Sequence, residues 1–251
     1  MSAYFKNLIL ALAVFTLGAC STKYALVKSN RKEYNISNKI APDSSVIKTY
    51  LPYKTKIDAE MNQVIGYTEF TLSKSSQGYE SVLGNFFADA VFHQAKKINP
   101  NIDFILPSTK GGLRNDIAKG EITVSNIFEL MPFENQLILF TLKGEDVLKL
   151  INYIVASEGQ PVAGIKIEVK DKAPVNVIIN GKPFNVNQTY QVVTSDYVAS
   201  GGDDAVGFAK PIAKQVLGLK IRDALLNEVK ELQAQGKKVN ATLDGRITKN
   251  N

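Results

Sequence analysis

The sequence predicts an α+β or layered α/β domain, and three observations carry that expectation. Segments with apolar residues at three-to-four spacing interleave with shorter segments that alternate or run apolar, so helices and strands follow one another along the chain. They do so without a strict strand–helix–strand rhythm, which points to mixed layers rather than one parallel sheet. The chain has 251 residues, 45% of them apolar and 22% charged, enough to bury a real core and unlike a disordered or multi-span membrane protein.

Residues 1–19 read as an export segment, with Lys6, an apolar stretch from Leu8 to Leu17, and then Leu17-Gly18-Ala19-Cys20. A spanning helix needs about 20 apolar residues, and polar Ser21, Thr22 and Lys23 follow at once, so the stretch is too short to span. Leu-Gly-Ala-Cys resembles a bacterial lipobox, which implies removal of residues 1–19 and lipidation of Cys20; an ordinary cleaved signal is the alternative. Residues 20–42 are polar and aperiodic, a basic flexible tether. From 43 to 61, Ile47, Tyr50, Ile57 and Met61 recur at helical spacing and predict a helix leading into a folded domain over 43–251.

A strand is expected at Val64–Leu72, where Phe70 and Leu72 alternate with Glu69 and Thr71. Leu83, Phe86, Phe87, Ala90, Val91 and Ala95 form a helical stripe that Asn99-Pro100 ends. A buried strand at Ile102–Leu106 runs into a Gly-Gly loop; a short helix at Ser125–Leu130, a strand at Leu137–Leu142 and a helix at Glu145–Ser157 follow. Ile165–Val169 and Val175–Ile179 are strands, Asn180-Gly181 is a hairpin turn signal, and Tyr190–Thr194 is a further strand. The last helix is expected over Gln215–Gln235, carrying Ile221, Ala224, Leu225, Val229 and Leu232 before Gly236.

The formal charge of +6 is not spread evenly. Residues 21–56 hold eight Lys/Arg against Glu33 and Asp43, whereas residues 57–251 hold 21 basic and 22 acidic groups. The basic excess therefore belongs to the tether, where it serves either as a solvated linker or as a contact with anionic lipid, and nucleic-acid binding by the folded part loses its support. One Cys and one His cannot supply the thiolates or imidazoles of a zinc, di-iron or binuclear hydrolase site. His93, on the stripe-bearing helix, reads as a packed or helix-edge side chain, so no metal ligand and no catalytic residue is assigned.

Three loops follow apolar elements, where a pocket wall would be built: Gly111-Gly112-Leu113-Arg114, Pro132-Phe133-Glu134-Asn135, and Tyr197-Val198-Ala199-Ser200-Gly201-Gly202-Asp203. Paired glycines let backbone approach a ligand, and Arg114 offers a planar fork for phosphate or carboxylate. Phe133 and Asn135 set a flat face beside an amide donor and acceptor, and Gly201-Gly202 bends the chain so that Tyr197 and Asp203 draw together. Taken singly, each loop also fits a blander account: a tight turn with a surface arginine, a core Phe beside a turn, a polar surface turn.

In this order the loops resemble the C-terminal domain of the bacterial 5′-nucleotidase and UDP-sugar hydrolase family. Met61-Asn62-Gln63-Val64-Ile65-Gly66, Glu80-Ser81-Val82-Leu83-Gly84-Asn85 on the long helix, Gly120-Glu121-Ile122-Thr123 and Val162-Ala163-Gly164 add to the match. The resemblance implies a four-layer α/β/β/α fold with a nucleoside pocket. Phe133 and Tyr197 would sandwich the base, Asn135 contact it, Asp203 hold the ribose hydroxyls, Arg114 face the anionic end, and Gly164 line the pocket. Ser73, Lys74 and Gln77 stand where the family often has arginines, Thr109 where it has Asn or Ser, and Tyr197 where Phe is usual.

Hydrolysis in that family is done by a separate metallophosphatase domain holding two metal ions, and this sequence contains none of it. The expectation is therefore the substrate-binding half of a split 5′-nucleotidase, with no cofactor of its own, paired with a metallophosphatase chain that carries the divalent metals, and lipid-anchored in the bacterial cell envelope, at the outer membrane facing the periplasm. A stand-alone periplasmic nucleotide or nucleoside receptor and a scaffold with a disabled pocket are the alternatives.

Overall fold

A computed structural model describes Leu26 and residues 28–250. The export segment and Cys20 lie outside the described residues. Chain contacts divide the protein after Thr49 into two units, and every sheet belongs to the second. In the first, residues 28–43 carry no helix or strand. Helix α1 (Ser44–Met61) forms where the spacing predicts it, started by Asp43, whose carboxylate accepts from Ser45 N at 2.8 Å. Among the described residues no helix is long and apolar enough to cross a membrane.

The element that positions everything else is a four-stranded sheet in the order β2-β8-β4-β9, formed by β2 (Phe104–Leu106), β8 (Thr189–Ser195), β4 (Gln136–Lys143) and β9 (Ala213–Lys220). β8 runs parallel to β2 and antiparallel to β4. Both faces of this sheet are covered, so successive residues enter two different cores. Leu137, Leu139, Ile105 and Val193 face one core, with α2 (Val82–Ile98), α3 (Val124–Leu130) and α6 (Ile221–Ala234). Phe140, Leu142, Phe104, Leu106 and Val192 face the other. There they meet α4 (Gly144–Ala156) and strands β5 (Ile165–Lys170) and β6 (Ala173–Ile179), part of a second four-stranded sheet completed by β7 (Lys182–Pro183) and β10 (Ile247–Lys249). This is the layered α+β arrangement the sequence predicts.

Local chemistry sets the helix ends. Ser81 caps α2 by accepting from Gly84 N at 3.0 Å, and Thr123 and Asn126 form a reciprocal capping box on α3. Leu83, Phe87 and Val91 are fully buried on α2, each worth about 1.5–3 kcal/mol of apolar burial. Asn180 and Gly181 both have positive φ, 49° and 76°, and close the β6–β7 hairpin at the expected turn.

Three expectations need correction. The strand that starts at Val64 is β1 (Val64–Thr68), which ends before Phe70; Leu72 makes only a two-bond bridge with Ile117 and is wholly buried. Its partner is β3 (Gly120–Thr123), a strand in a segment whose motif gave no alternation. The last helix starts at Ile221, six residues later than expected, because residues 213–220 pair with the outer edge of β4 as β9. All the apolar residues at helical spacing lie from Ile221 onward, so the periodicity was real and only the segment before it differs.

The C-terminus is tied down by Arg246, whose side chain is 9% exposed. It makes a bidentate pair with Asp89 on α2 at 2.8 Å, reaches Asp244 at 2.9 Å, and donates to Val162 O at 2.8 Å. For Asp244, burial pushes the carboxyl up, but the bonds and charge of Arg246 outweigh it and hold the group below its ordinary 3.8. A depressed carboxyl contributes stability that is present above the unfolded value and lost as pH falls through the folded one. Arg246→Met is expected to cost about 2–3 kcal/mol in urea unfolding at neutral pH, and the difference from the parent protein should shrink below pH 4 as Asp244 protonates.

Candidate functional site

The three loops singled out in the sequence leave the same end of the central sheet. Register is the cause: Leu106 pairs with Thr194 on one side, and Ile138 pairs with Thr194 on the other. The ends of parallel β2 and β8 and the start of antiparallel β4 therefore lie in a row, and the segments beyond them converge. Thr194 ties the row by donating its hydroxyl to Leu106 O at 2.6 Å.

Between these loops lies a cleft of about 340 Å³ lined by Ser108, Gly111, Gly112, Arg114, Phe133, Asn135, Tyr197 and Asp203. That volume is within the range of small-molecule sites. Phe133 is 42% and Tyr197 47% exposed, large apolar faces left open to solvent. Gly202 and Gly201 shape the third loop rather than line the cleft. A Cβ on Gly202 would come within 2.4–2.6 Å of the Tyr197 ring, so only glycine lets the ring lie against that backbone. Gly164 is not at the cleft. It lines a separate depression with Asp89, Asp244 and Arg246, and a Cβ there would meet Asp103 O at 2.5 Å; its place is close packing against β2.

Asp203 sits at φ 52° at the centre of a hydroxyl network. Thr109 donates its hydroxyl to Oδ2 and Tyr197 donates to Oδ1 at 3.0 Å, while Tyr153 from α4 donates to the Asp203 backbone carbonyl at 3.0 Å. The hydrogen bond to Asp203 pushes the Tyr197 hydroxyl above its ordinary value, and burial, followed by the charges of Asp203 and Asp204, does the same for Tyr153. Both are protonated donors at neutral pH. Asn135 is aimed by Asp196, which accepts from its amide at 2.9 Å and from Tyr197 N at 2.8 Å. One carboxylate thus fixes the amide of the second loop and the backbone of the third.

Arg114 lies at the cationic margin. Lys74 donates to Arg114 O at 2.8 Å, and Lys74, Lys110 and Arg114 border a shallow depression that shares Gly111 and Arg114 with the cleft. Where the upstream arginines of the resemblance are missing, Lys74 is brought to the same margin.

Arg222 at the start of α6 supports the Phe133 loop from behind. Its side chain is 8% exposed and lies over the Phe128 ring at 4.1 Å. It donates to the carbonyls of Met131 and Phe133 at 3.5 and 3.4 Å and pairs with Glu134, which Lys220 also holds; its Nε has no partner. Tyr153, Asp196 and Arg222 gave no signal in the sequence, because each acts through a contact between distant segments, and neither did Ser108, which lines the cleft. Thr109 did stand out as a departure before Gly-Gly, and the structure gives it the bond to Asp203.

The donor set of the cleft does not fit two divalent metal ions: Asp203 is its one acid, and no histidine lines it. His93 instead pairs with Glu228 at 2.7 Å across α2 and α6. Glu231 completes a group whose ligand atoms lie within 4.8 Å, but Gln94 holds both carboxylates at 2.7 and 2.9 Å and Lys97 pairs with Glu231.

The cleft thus brings two exposed aromatic faces, a fixed amide, one acid and a cationic margin together at one end of the sheet. The family described as 5′-nucleotidase, C-terminal domain, matches residues 59–210, more than half of the chain, and the chain belongs to that family. It is 26% identical over 239 residues to the cell wall protein Lmo0130 of Listeria monocytogenes, covering 85% of this chain and 30% of that protein. It is 28% identical over 219 residues to the trifunctional nucleotide phosphoesterase protein YfkN of Bacillus subtilis, covering 78% and 14%. Among solved structures, the 5′-nucleotidase precursor of Thermus thermophilus aligns with a TM-score of 0.67 at 28% identity, over 84% of this chain and 44% of that one. The NAD nucleotidase of Haemophilus influenzae shares the fold, with a TM-score of 0.61 at 20% identity. The chain thus spans less than half the length of these relatives.

Arg222→Met removes two carbonyl contacts but also a buried charge with an orphaned Nε, so the expected net loss is modest, about 1–3 kcal/mol. Hydrogen exchange should localise the effect, with faster exchange at residues 131–135 and no change in β8.

Proposed function

We propose that this chain is the nucleotide- or nucleoside-binding component of a split 5′-nucleotidase, holding substrate for a metallophosphatase carried on a separate chain. The observation that carries the reading is the single cleft that joins Phe133, Tyr197, Asn135, Asp203 and Arg114. A base stacks on the exposed rings, the Asn135 amide meets its edge, Asp203 accepts from sugar hydroxyls, and Arg114 with Lys74 and Lys110 neutralises phosphate. The names of the relatives, nucleotide phosphoesterase and 5′-nucleotidase, support a nucleotide as the ligand.

Magnitudes favour a partner. Two stacking faces at ~1–3 kcal/mol each give ~2–6 kcal/mol, and a Kd of 1 mM already needs ~4.1 kcal/mol. Affinity of that order suits a domain that positions a substrate at another active site better than a scavenging receptor. The metals and the hydrolytic groups belong to the partner in this proposal. Cys20 carries the lipid that holds the protein at the cell envelope, in the outer membrane facing the periplasm, and the basic tether contacts anionic head groups.

Calorimetry or NMR titration of the purified protein with AMP is expected to give weak binding, near millimolar, reduced roughly tenfold by Phe133→Ala or Tyr197→Ala. Mixed with a metallophosphatase chain from the same genome, the protein should form a complex and lower the KM for AMP hydrolysis. No complex and no kinetic change would refute the split-enzyme reading, and low-micromolar AMP binding by this chain alone would establish a receptor instead.

A further inference from the structure

Asp203 is the one acid of the cleft, and each of its carboxylate oxygens already accepts from a hydroxyl of the protein: Thr109 on Oδ2 and Tyr197 on Oδ1. Two hydroxyls, one on each oxygen, is the pattern that the vicinal diol of a ribose would itself make with a carboxylate. The two donors differ in freedom. Thr109 is 2% exposed and fixed just before the first loop, whereas Tyr197 is 47% exposed and its ring rests against Gly202.

We propose that the Tyr197 hydroxyl is an internal competitor for Asp203 Oδ1 and that it sets the sugar specificity of the cleft, levelling affinity between ribonucleotides and 2′-deoxyribonucleotides. The proposal rests on the cleft being a nucleotide site. A ribose hydroxyl that takes the lone pair of Oδ1 now held by Tyr197 displaces it, so one hydroxyl–carboxylate bond replaces another and the net gain is small. A ligand that lacks a hydroxyl leaves Tyr197 in place, and no carboxylate oxygen is stranded under the sugar. Strong rejection of a ligand missing a hydroxyl arises when its absence leaves a polar group of the site unpaired, and Tyr197 removes that condition. Its hydroxyl is a donor at neutral pH, as any tyrosine's is, and the hydrogen bond to Asp203 raises its titration further.

A phenylalanine at this position would keep the stacking face and lose the competitor. Asp203 is exposed in the absence of ligand, so water shares the work of pairing Oδ1 and the effect is bounded. The experiment measures the affinities of AMP and its 2′-deoxy counterpart for the full chain and for Tyr197→Phe, by NMR titration. Because both ligands are read on the same protein, loss of folded material cannot mimic a change in their ratio. The expected ratio is within about twofold for the parent protein and roughly fivefold or more in favour of AMP for Tyr197→Phe. Equal ratios in the two proteins, or strong preference for AMP in the parent, would overturn the inference while leaving the nucleotide site standing. Failure of the parent protein to bind AMP at millimolar concentration would overturn both, and failure of Tyr197→Phe alone would overturn only the inference.

Discussion

β8 has parallel β2 on one flank and antiparallel β4 on the other, and the cleft depends on that pairing. Parallel neighbours end at the same side of a sheet, and an antiparallel neighbour begins there. Three segments separated by tens of residues therefore emerge side by side, with Leu106, Thr194 and Ile138 in one row. Shifting β4 by one residue would exchange its two faces, sending Leu137 and Leu139 to the core now filled by Phe140 and Leu142. Burial on both faces of the sheet is thus what holds the loops in register.

Polar contacts refine what the sheet sets coarsely. Asp196 aims Asn135, Thr109 and the two tyrosines hold Asp203, and Arg222 with Lys220 clasps Glu134 behind Phe133. The aromatic side chains of the cleft stay half open while the groups that hold the loops sit at strand ends and helix starts, an arrangement that keeps a cleft organised without filling it. The hydrogen bonds among loops also explain why glycines cluster there: at Gly202 the ring of Tyr197 needs the space a Cβ would occupy.

Charge in the folded domain is local rather than global. Residues 57–251 are close to neutral, yet Lys74, Lys110 and Arg114 gather at one margin of the cleft, next to its single acid. Such a small cationic edge beside one acid is not the extended basic surface that a long polyanion needs.

Much of this was legible in the sequence. Helical stripes on α2 and α4, set by burial of one face, and the apolar run of β4, set by burial of both, are local patterns, so they read correctly to within a residue or two. Apart from Ser108, the residues that line the cleft stood out because a glycine pair, an aromatic after proline and an acid after Gly-Gly follow one another in three loops, although each alone fits an ordinary turn. β9 did not read as a strand, because its pairing edge is supplied by β4, seventy residues away, and β3 and β10 were missed for the same reason. Gly164 was misplaced because a glycine needed for close packing and one needed at a ligand look alike in a sequence. By itself the sequence determined which residue types stand in the three loops and that one Cys and one His cannot build a thiolate- or imidazole-rich metal site. The tertiary structure alone decided that the three loops meet and that Thr109 reaches Asp203 from ninety-four residues away, since strand register and such contacts arise only when distant segments pack.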